Sequence, residues 1–450
     1  MGLVTNVLAF VVAIGVLVTV HEFGHFWVAR RVGVKVLRFS IGFGRPLWSR
    51  TARDGTEYVI AAIPLGGYVK MLDEREGDVP DGELQSAFNR KPLWARNAVV
   101  AAGPVFNFIF AVFAFWLIFV VGTTEARPVL GGVVAGSPAA EAGFQRGDEL
   151  LKVGGESTDT WERAAIAFID QGTDEGTLAV VVRTADGVQK TRHLDMGTVG
   201  LLGDDPDVFR AIGFKSWIEG LEPVVGRVMP NSAASDAGLE AGSELTAAGG
   251  EPLKTWQDLV DYVRDRPGET VTFRVRQGGT SRQVPVTIGS RDTDDGAVGV
   301  LGVSPEIPDS LFREIRYGPL AAVPHSVGMT WEMSALTVKL IGKMIVGDAS
   351  VKNLSGPVNI AQQAGMSASL GLAPFLRFLA IVSISLGVLN LLPVPVLDGG
   401  HLLYNGIEWV RGRPLSEYAQ GVGQQIGIAL LVMLMAVAFY NDLIRLFGPR

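Results

Sequence analysis

A long uncharged run at the start of the chain ends in two histidines and a glutamate, and this combination most constrains the fold. Residues 2–20 carry no charged side chain, and a helix needs about twenty apolar residues to cross a bilayer. His21, Glu22 and His25 follow in the segment His-Glu-Phe-Gly-His. Residues at i and i+4 share one helix face, so both imidazoles can bind one zinc ion with Glu22 within reach as general base. The sequence therefore predicts a zinc site within a membrane helix.

The alternative is a polar helix end at the membrane interface that binds no metal. Only five histidines occur in 450 residues, so this spacing is improbable by chance. No cysteine is present, so any metal must bind His, Asp or Glu. With 48% hydrophobic and 19% charged residues, the composition favours a few spans plus a sizeable soluble part. A net charge of −7 argues against a nucleic-acid partner.

Four uncharged or nearly uncharged segments predict membrane-spanning helices, and hence a multi-pass α-helical membrane protein. Arg30 and Arg31 directly follow the first span. Positive residues favour the cytoplasmic side, which puts the histidine end of that helix towards the cytoplasm and residues 122–372 outside. Residues 318–346 show apolar residues at helical spacing but also three charges, which favours an interfacial or domain-packing helix over a fifth span. The predicted spans are 3–28, 97–121, 373–392 and 424–440.

The stretch between the first two spans predicts β-structure near the membrane. Residues 34–41 and 56–63 are β-prone, and the glycine-rich segment 42–46 and the turn-like Arg53-Asp54-Gly55 separate them. A hairpin that dips towards the active site could offer an edge to an extended substrate. An ordinary cytoplasmic hairpin is the alternative, and the pattern does not distinguish the two.

The soluble part contains an internal repeat with an offset of 95 residues. Ser-Pro-Ala-Ala-Glu-Ala-Gly at 137–143 matches Ser-Ala-Ala-Ser-Asp-Ala-Gly at 232–238, and Trp161 recurs as Trp256. Two copies of one α+β domain are predicted, over 126–208 and 221–308. Each resembles a bacterial PDZ domain, although Ser243 replaces the usual aspartate in the second. Such domains bind extended chains at a sheet edge; a spacer or lid that binds no peptide is the alternative.

A catalytic zinc site needs a third protein ligand, and two residues near the end of the third span compete for that role. Asp398 stands at a break rich in proline and glycine, and such breaks at membrane depth usually line a functional cavity. His401 lies about one helical turn further on and is the rival. The alternative for His401 is a histidine that binds no metal and lies at the start of a helix at the membrane interface.

The motifs and their order closely resemble those of the site-2 protease family of intramembrane metalloproteases. They are His-Glu-Phe-Gly-His, then Gly-Pro-x-x-Asn at 103–107, and Asn-x-x-Pro-x-Pro-x-Leu-Asp-Gly-Gly from residue 390. The resemblance covers essentially the whole chain. It implies one zinc ion held by His21, His25 and Asp398, with Glu22 as the base. It also implies a membrane-reentrant β-element and the following substrate-contacting residues: Asn390, Pro393, Gly42, Phe43, Gly44, Gly67 and Tyr68.

The family's substrates are single-span membrane proteins, typically anti-sigma factors already trimmed outside the membrane by another protease; remnant signal peptides are a further class. The resemblance implies a monomer in the bacterial inner membrane, with a cytoplasmic-side active site and periplasmic PDZ domains that gate substrates. The rival interpretation is a membrane-anchored PDZ scaffold with a structural metal site, for which Glu22 would have no use. The sequence predicts five parts of the chain: the first two spans with the β-segment between them (1–121), the two PDZ domains (126–208 and 221–308), an interfacial helical segment (309–372) and the last two spans (373–450).

Overall fold

The computed structural model describes residues 3–171, 176–199, 207–293, 296–347 and 355–447. The chain divides into two units, one of residues 1–123 with 315–450 and the other of residues 124–314. The helices are α1 (Leu3–Arg31), α2 (Leu93–Val121), α3 (Pro138–Glu141), α4 (Trp161–Gln171), α5 (Val208–Ile212), α6 (Ala233–Asp236), α7 (Trp256–Arg264), α8 (Pro319–Val346), α9 (Pro357–Leu370), α10 (Leu372–Leu391), α11 (Asp398–Arg411) and α12 (Glu417–Phe447). The strands are β1 (Val36–Thr51), β2 (Glu57–Met71), β3 (Thr123–Ala126), β4 (Gly132–Val133), β5 (Glu149–Val153), β6 (Glu156–Ser157), β7 (Thr177–Arg183), β8 (Gln189–Asp195), β9 (Phe214–Lys215), β10 (Val225–Val228), β11 (Glu244–Ala248), β12 (Glu251–Pro252), β13 (Thr270–Gln277), β14 (Thr280–Thr287), β15 (Gly289–Thr293), β16 (Gly296–Val300), β17 (Val303–Pro305) and β18 (Phe312–Ile315).

Four helices in the described part of the first unit are long and apolar enough to cross a membrane. They are α1, α2, α10 and α12, which coincide with the four segments predicted to span, and the chain is a multi-pass membrane protein. Two of them extend well beyond the predicted ends, since α2 begins at Leu93 and α12 covers Glu417–Phe447, whereas α10 agrees with its prediction to within one residue at each end. Hydropathy marks the apolar part of a helix and not its last turn. Residues 318–346 form α8 almost exactly as long as predicted, and among the described helices α8 is not a candidate span.

The stretch between α1 and α2 forms a sheet from two long strands. The sequence predicted shorter strands over 34–41 and 56–63, whereas β1 continues to Thr51 and β2 continues to Met71. The glycine-rich segment 42–46, predicted to separate strands, lies inside β1. The prediction of a separating loop was therefore wrong, because that segment bends the strand without ending it.

Glycines provide the bend inside β1. Gly42 and Gly44 have φ angles of 91° and 87°, which side chains disfavour and which are typical of β-bulges. The pairing with β2 shifts register around them, and Ile41 lies opposite Gly67. The predicted turn at the far end is present, where Gly55 has a φ of 86°. The sheet thus folds back along α1 and brings Gly67 next to it.

Small and polar residues let α1 and α10 approach α2 closely. A Cβ atom on Gly24 of α1 would lie 2.4 Å from the carbonyl oxygen of Ala102 in α2. From the other side, Ser383 of α10 donates a hydrogen bond of 2.9 Å to the carbonyl oxygen of Asn107. Membrane helices associate through such small residues and interhelical hydrogen bonds, because lipid supplies no hydrophobic driving force. These contacts hold α1 and α10 against the middle of α2.

The second unit contains two copies of one arrangement, each with its own apolar core. Their four-stranded sheets have the orders β6-β5-β7-β8 and β12-β11-β13-β14. Each copy begins a short helix with a capping serine, whose hydroxyl accepts from the backbone N–H of Ala140 in α3 and of Ser235 in α6. The caps, Ser137 and Ser232, are equivalent residues of the sequence repeat. The repeat of sequence is therefore also a repeat of structure.

The two copies differ in the stretch that precedes a shared glycine. Gly213 and Gly302 each lie against the capping serine of their own copy. Before Gly213 the chain forms α5, and Phe209 of α5 packs edge-on against Trp161 with 4.8 Å between ring centroids. Before Gly302 it forms strand β16, which pairs with β15. The core of the first copy includes Phe214, which lies beyond the predicted domain end at residue 208.

Candidate active site

Two histidines of α1 and an aspartate of α11 bring one potential ligand atom each to a single point. His21 Nε2 lies 3.3 Å from Asp398 Oδ2, and His25 Nε2 lies 3.6 Å from the same oxygen. The two Nε2 atoms are 3.2 Å apart. Within the described part of the chain, this is the one group of three such side chains that could hold a metal ion.

The donor set and its spacing fit zinc. Zinc binds imidazole nitrogen and carboxylate oxygen at about 2.0–2.2 Å in a tetrahedron, so neighbouring ligand atoms lie about 3.3–3.5 Å apart. The separations of 3.2 to 3.6 Å between the ligand atoms agree with that geometry. Apart from the two imidazoles, the buried Oδ2 of Asp398 has no hydrogen-bond partner, which a bound cation would compensate. Three protein ligands leave a fourth position open, as in catalytic zinc sites.

Asp398 reaches this point because the chain breaks between α10 and α11. The break begins after Leu391 and ends at Asp398, the first residue of α11. Val396 in the break has a φ of 97°, which is strained for a β-branched residue. A Cβ atom on Gly400 would lie 2.5 Å from the carbonyl oxygen of Val394. The glycines after Asp398 are therefore needed so that the start of α11 can pack against its own preceding loop.

A glycine of α2 lets that helix close one side of the site. A Cβ atom on Gly103 would lie 2.3 Å from His25 Nε2 and 2.7 Å from His21 Cε1. Any side chain there would overlap both imidazoles, so only glycine allows α2 to lie this close. Gly103 begins the Gly-Pro-x-x-Asn motif of the sequence, and this close approach explains why the motif begins with glycine.

Both imidazoles are also held by their second ring nitrogen. His25 Nδ1 lies 2.8 Å from the carbonyl oxygen of Val99, and His21 Nδ1 lies 3.0 Å from the side-chain amide of Asn107. Both partners belong to α2. Because Nδ1 is engaged in each ring, Nε2 is the nitrogen turned towards Asp398. Sequence reasoning did not predict these partners, although the Gly-Pro-x-x-Asn motif pointed to Asn107.

Glu22 directly follows His21 in α1 and does not belong to the three-residue group. A Cβ atom on Gly67 would lie 3.0 Å from Glu22 Cγ, so the Glu22 side chain lies against the backbone of β2. A carboxylate that is adjacent to a metal site without being a ligand can accept and donate protons during hydrolysis. The arrangement therefore separates a group that could bind metal from a group that could transfer protons.

His401, the rival third ligand, lies outside the group formed by the two α1 histidines. Its ring packs edge-on against Tyr404, with 6.4 Å between centroids. Together with Arg75 and Arg96 it lines a small polar cavity of about 70 Å³. The structure thus brings Asp398, and not His401, to the histidines of α1.

The predicted substrate-contacting residues of the sheet lie beside α1. Phe43 stacks on Tyr68, with ring centroids 6.1 Å apart and planes 10° from parallel. Gly42 and Gly44 flank Phe43 at the bend of β1. Gly67 lies where a Cβ atom would come within 2.9 Å of a methyl group of α1, next to Glu22. The sheet therefore reaches the candidate catalytic carboxylate through a glycine backbone.

The other two predicted substrate contacts lie at the break before α11. Asn390 is in the last turn of α10 and half-buried. Pro393 lines an open apolar groove together with Gly399, Leu403 and Ile407 of α11. Since Gly399 directly follows Asp398, this groove begins next to the ligand group.

Comparison with known proteins gives matches over nearly the full chain. The model of peptidase family M50 matches residues 9–434. The chain is 44% identical to the regulator of sigma-E protease RseP of Salmonella typhimurium (strain 14028s / SGSC 2262) over 99% of this chain and 100% of that protein. It is 46% identical to RseP of Escherichia coli (strain K12) over 97% and 98%. A putative zinc metalloprotease of Vibrio cholerae is 41% identical over 98% and 99%. A Listeria monocytogenes PDZ domain covers 18% of this chain and 83% of that one at 24% identity, with a TM-score of 0.16.

These matches confirm the resemblance that the motifs indicated. A family model that covers most of the chain, and relatives above 40% identity over their full length, leave no room for a mere scaffold with a structural metal. Zinc dependence follows from the family and from the relative named as a zinc metalloprotease. The chain therefore belongs to peptidase family M50, the site-2 proteases, and is a zinc-dependent intramembrane protease.

Proposed function

We propose that His21, His25 and Asp398 hold one zinc ion per chain and that Glu22 is the catalytic base. The observation that carries this proposal is the convergence of three ligand atoms, 3.2 to 3.6 Å apart. Two of them come from α1, which is apolar enough to span the membrane, and the third comes from the start of α11. Glu22 is next to His21 in α1 without belonging to this group. Three ligands and a free carboxylate are what hydrolysis requires, whereas a structural zinc site is closed by four ligands.

The proposed mechanism assigns separate tasks to the residues of the site. When bound, zinc supplies Lewis-acid chemistry to water and to the scissile carbonyl. A carboxylate oxygen of Glu22 accepts a proton from the attacking water and then donates it to the nitrogen of the leaving amine. His21 and His25 would hold the ion through Nε2, so they take no part in proton transfer. Peptide-bond cleavage by water is the result.

We infer that β2 presents the substrate to Glu22 in extended form. The peptide bonds of a membrane helix are hidden in intrahelical hydrogen bonds, so a substrate must unwind before attack. Gly67 brings the backbone of β2 against Glu22, and a strand added there would place its own backbone near the site. Proposed side-chain contacts come from the bend at Gly42, Phe43 and Gly44, from Tyr68, and from Asn390 and Pro393 at the break.

The β1–β2 sheet is proposed to be a membrane-reentrant element. Large apolar side chains near its bend are exposed, with Leu47 at 72% and Trp48 at 50%. Neighbouring large apolar side chains left uncovered in this way indicate contact with lipid or a partner. Insertion into the bilayer surface would cover them and would bring the sheet to the depth of the active site.

The proposed substrates are single-span membrane proteins, cut within their membrane segment. The relatives are named as regulators of sigma-E, which favours anti-sigma factors already trimmed by another protease; remnant signal peptides are a second class. We propose that the protein is a monomer in the bacterial inner membrane. Arg30 and Arg31 favour a cytoplasmic position for the active-site end of α1. The copies at 126–208 and 221–308 are proposed to be periplasmic PDZ domains that gate substrates.

Zinc content of alanine variants tests the ligand assignment. Asp398→Ala should lose zinc and cleavage, because two imidazoles alone do not hold the ion. His401→Ala is the matched control, one helical turn away on α11, and should retain much of both. Metal analysis of the purified full chain in detergent, together with cleavage of a membrane-embedded reporter, gives the two readouts. Zinc retained by Asp398→Ala and lost by His401→Ala would reverse the assignment.

A further inference from the structure

Asn107 is a fully buried polar side chain in the middle of a membrane helix, and it has no task in the proposed mechanism of peptide hydrolysis. Its exposed fraction is 0%, and it belongs to α2, a candidate span with few polar residues. Its amide nitrogen lies 3.0 Å from His21 Nδ1. With the amide nitrogen facing His21, the amide oxygen of Asn107 has no hydrogen-bond partner. A polar group buried at membrane depth is costly and needs a compensating role.

The protonation of a zinc-bound histidine decides which amide atom must face it. If His21 binds metal through Nε2, then Nδ1 carries the ring proton and can only donate. An amide N–H cannot accept that hydrogen bond, whereas the amide oxygen can. The nitrogen and oxygen of an asparagine amide have nearly the same shape, and a rotation by 180° exchanges them. After that rotation Oδ1 of Asn107 stands where the nitrogen lies now, 3.0 Å from His21 Nδ1.

We propose that Asn107 is a positioning residue, which accepts a hydrogen bond from His21 Nδ1–H and thereby holds Nε2 towards the metal. This inference rests on the proposed zinc site. Partners of this kind fix the tautomer and orientation of a ligand histidine and increase its basicity. The two α1 histidines are then held alike, His25 by the backbone carbonyl of Val99 at 2.8 Å and His21 by a side chain. Of these two partners, only the side chain of Asn107 can be changed by mutation, because the partner of His25 is a backbone carbonyl.

The backbone around Asn107 is fixed independently of its side chain. Ser383 of α10 donates a hydrogen bond of 2.9 Å to the carbonyl oxygen of Asn107. This contact is buried and lies on the other helix interface, so it holds α2 against α10 without touching His21. It therefore offers a control: removal of the Ser383 hydroxyl disturbs the same residue's surroundings and leaves the imidazole contact in place.

The experiment measures the zinc dissociation constant of full-length variants in detergent by competition with a chelator. Asn107→Leu has a similar size and no acceptor, and it should weaken zinc binding about 10–100-fold. Asn107→Asp restores an acceptor for Nδ1–H and should bind zinc as well as the unchanged chain or better. Ser383→Ala should change the constant by less than about 3-fold, because His21 keeps its partner. The visible absorption of bound cobalt should shift in Asn107→Leu and not in Ser383→Ala.

Equal zinc affinity of Asn107→Leu and the unchanged chain would overturn the proposal, as would equal losses in the Leu and Asp variants. If Asn107→Leu does not fold, Asn107→Ser serves in its place, since a short hydroxyl keeps polarity but does not reach the ring. Failure of the zinc site itself looks different. In that case His21→Ala and Asp398→Ala would keep zinc, whereas failure of this inference alone leaves both of them metal-free.

Discussion

At the scale of single residues, the proposed active site assigns two tasks to four side chains. The ligand atoms of His21, His25 and Asp398 face one another, and Glu22 turns to the backbone of β2. The division matters because a ligand carboxylate is neutralised by the metal and is a poor base, whereas a carboxylate beside the metal keeps its basicity. Chemistry and metal binding should therefore be separable by substitution.

Gly103 is the residue at which a single methyl group should disturb the metal site. In Gly103→Ala the new Cβ atom would overlap His25 Nε2, from which an ideal Cβ lies 2.3 Å. We expect the imidazoles to be displaced, zinc binding to weaken, and stability to fall by about 1–3 kcal/mol, the usual cost of overpacking. Zinc content and thermal unfolding of the purified variant measure both effects.

Gly15 provides the matched control for this substitution. It also lies in a spanning helix, α1, but nothing lies within 4 Å of its Cβ position. Gly15→Ala should keep full zinc content and the stability of the unchanged chain. Normal zinc binding in Gly103→Ala would mean that α2 can move away from the histidines, and that the close approach is not required.

Part of the site could be predicted from the sequence because part of it is local. His21 and His25 lie on one helix, so their spacing alone brings them together. Asp398 and His401 lie only about one turn apart, and which of them faces α1 depends on the strained break at Val396. Asn107 meets His21 only through the packing of α2 on α1. Such tertiary contacts leave no periodic pattern in the chain, and the roles of these residues stay proposals.

At the scale of elements, the helices were predictable and the sheet was not. An uncharged apolar run of sufficient length identifies a span by itself, and α1, α2, α10 and α12 agree with that prediction. The strands β1 and β2 are longer than predicted. A glycine-rich segment indicates a turn when the sequence is read alone, and it is recognised as a β-bulge only when its partner strand is known. Gly42 and Gly44 bend β1 against β2, and that pairing is not visible in either strand alone.

The two copies of the second unit show the same limit. Their shared residues predicted a repeat, and the caps at Ser137 and Ser232 follow it. The stretches before Gly213 and Gly302 form a helix in one copy and a strand in the other. Sequence similarity is lost there, so the repeat carried no information about them. In the first copy Phe209 occupies the space beside Trp161, whereas the described residues before Gly302 in the second copy form strand β16.

At the scale of the whole molecule, the second unit should restrain the protease and not drive its chemistry. In its described residues no group of His, Asp or Glu offers a further metal site. Deletion of 126–308, replaced by a short linker, should leave cleavage of a trimmed substrate intact within about 3-fold. It should also allow cleavage of substrates that keep a bulky outer domain, because a gate excludes by size without lowering the barrier at the zinc.

Side-by-side cleavage of the full-length and the trimmed substrate measures this effect. A peptide-binding activator would behave in the opposite way, since its removal takes away binding energy and slows the trimmed substrate. If the deletion slows the trimmed substrate and never admits the full-length one, the gate is wrong and an activator is right.

The central claim is that a zinc ion held by His21, His25 and Asp398 acts with Glu22 to cut a peptide bond within the membrane. The most direct test is Glu22→Gln in the full chain, reconstituted with a single-span reporter. Glutamine has nearly the same size and cannot accept the proton. The account predicts zinc content near one per chain and complete loss of cleavage. Unchanged cleavage would remove Glu22 from the mechanism, and loss of zinc would make it a ligand; either result contradicts the account.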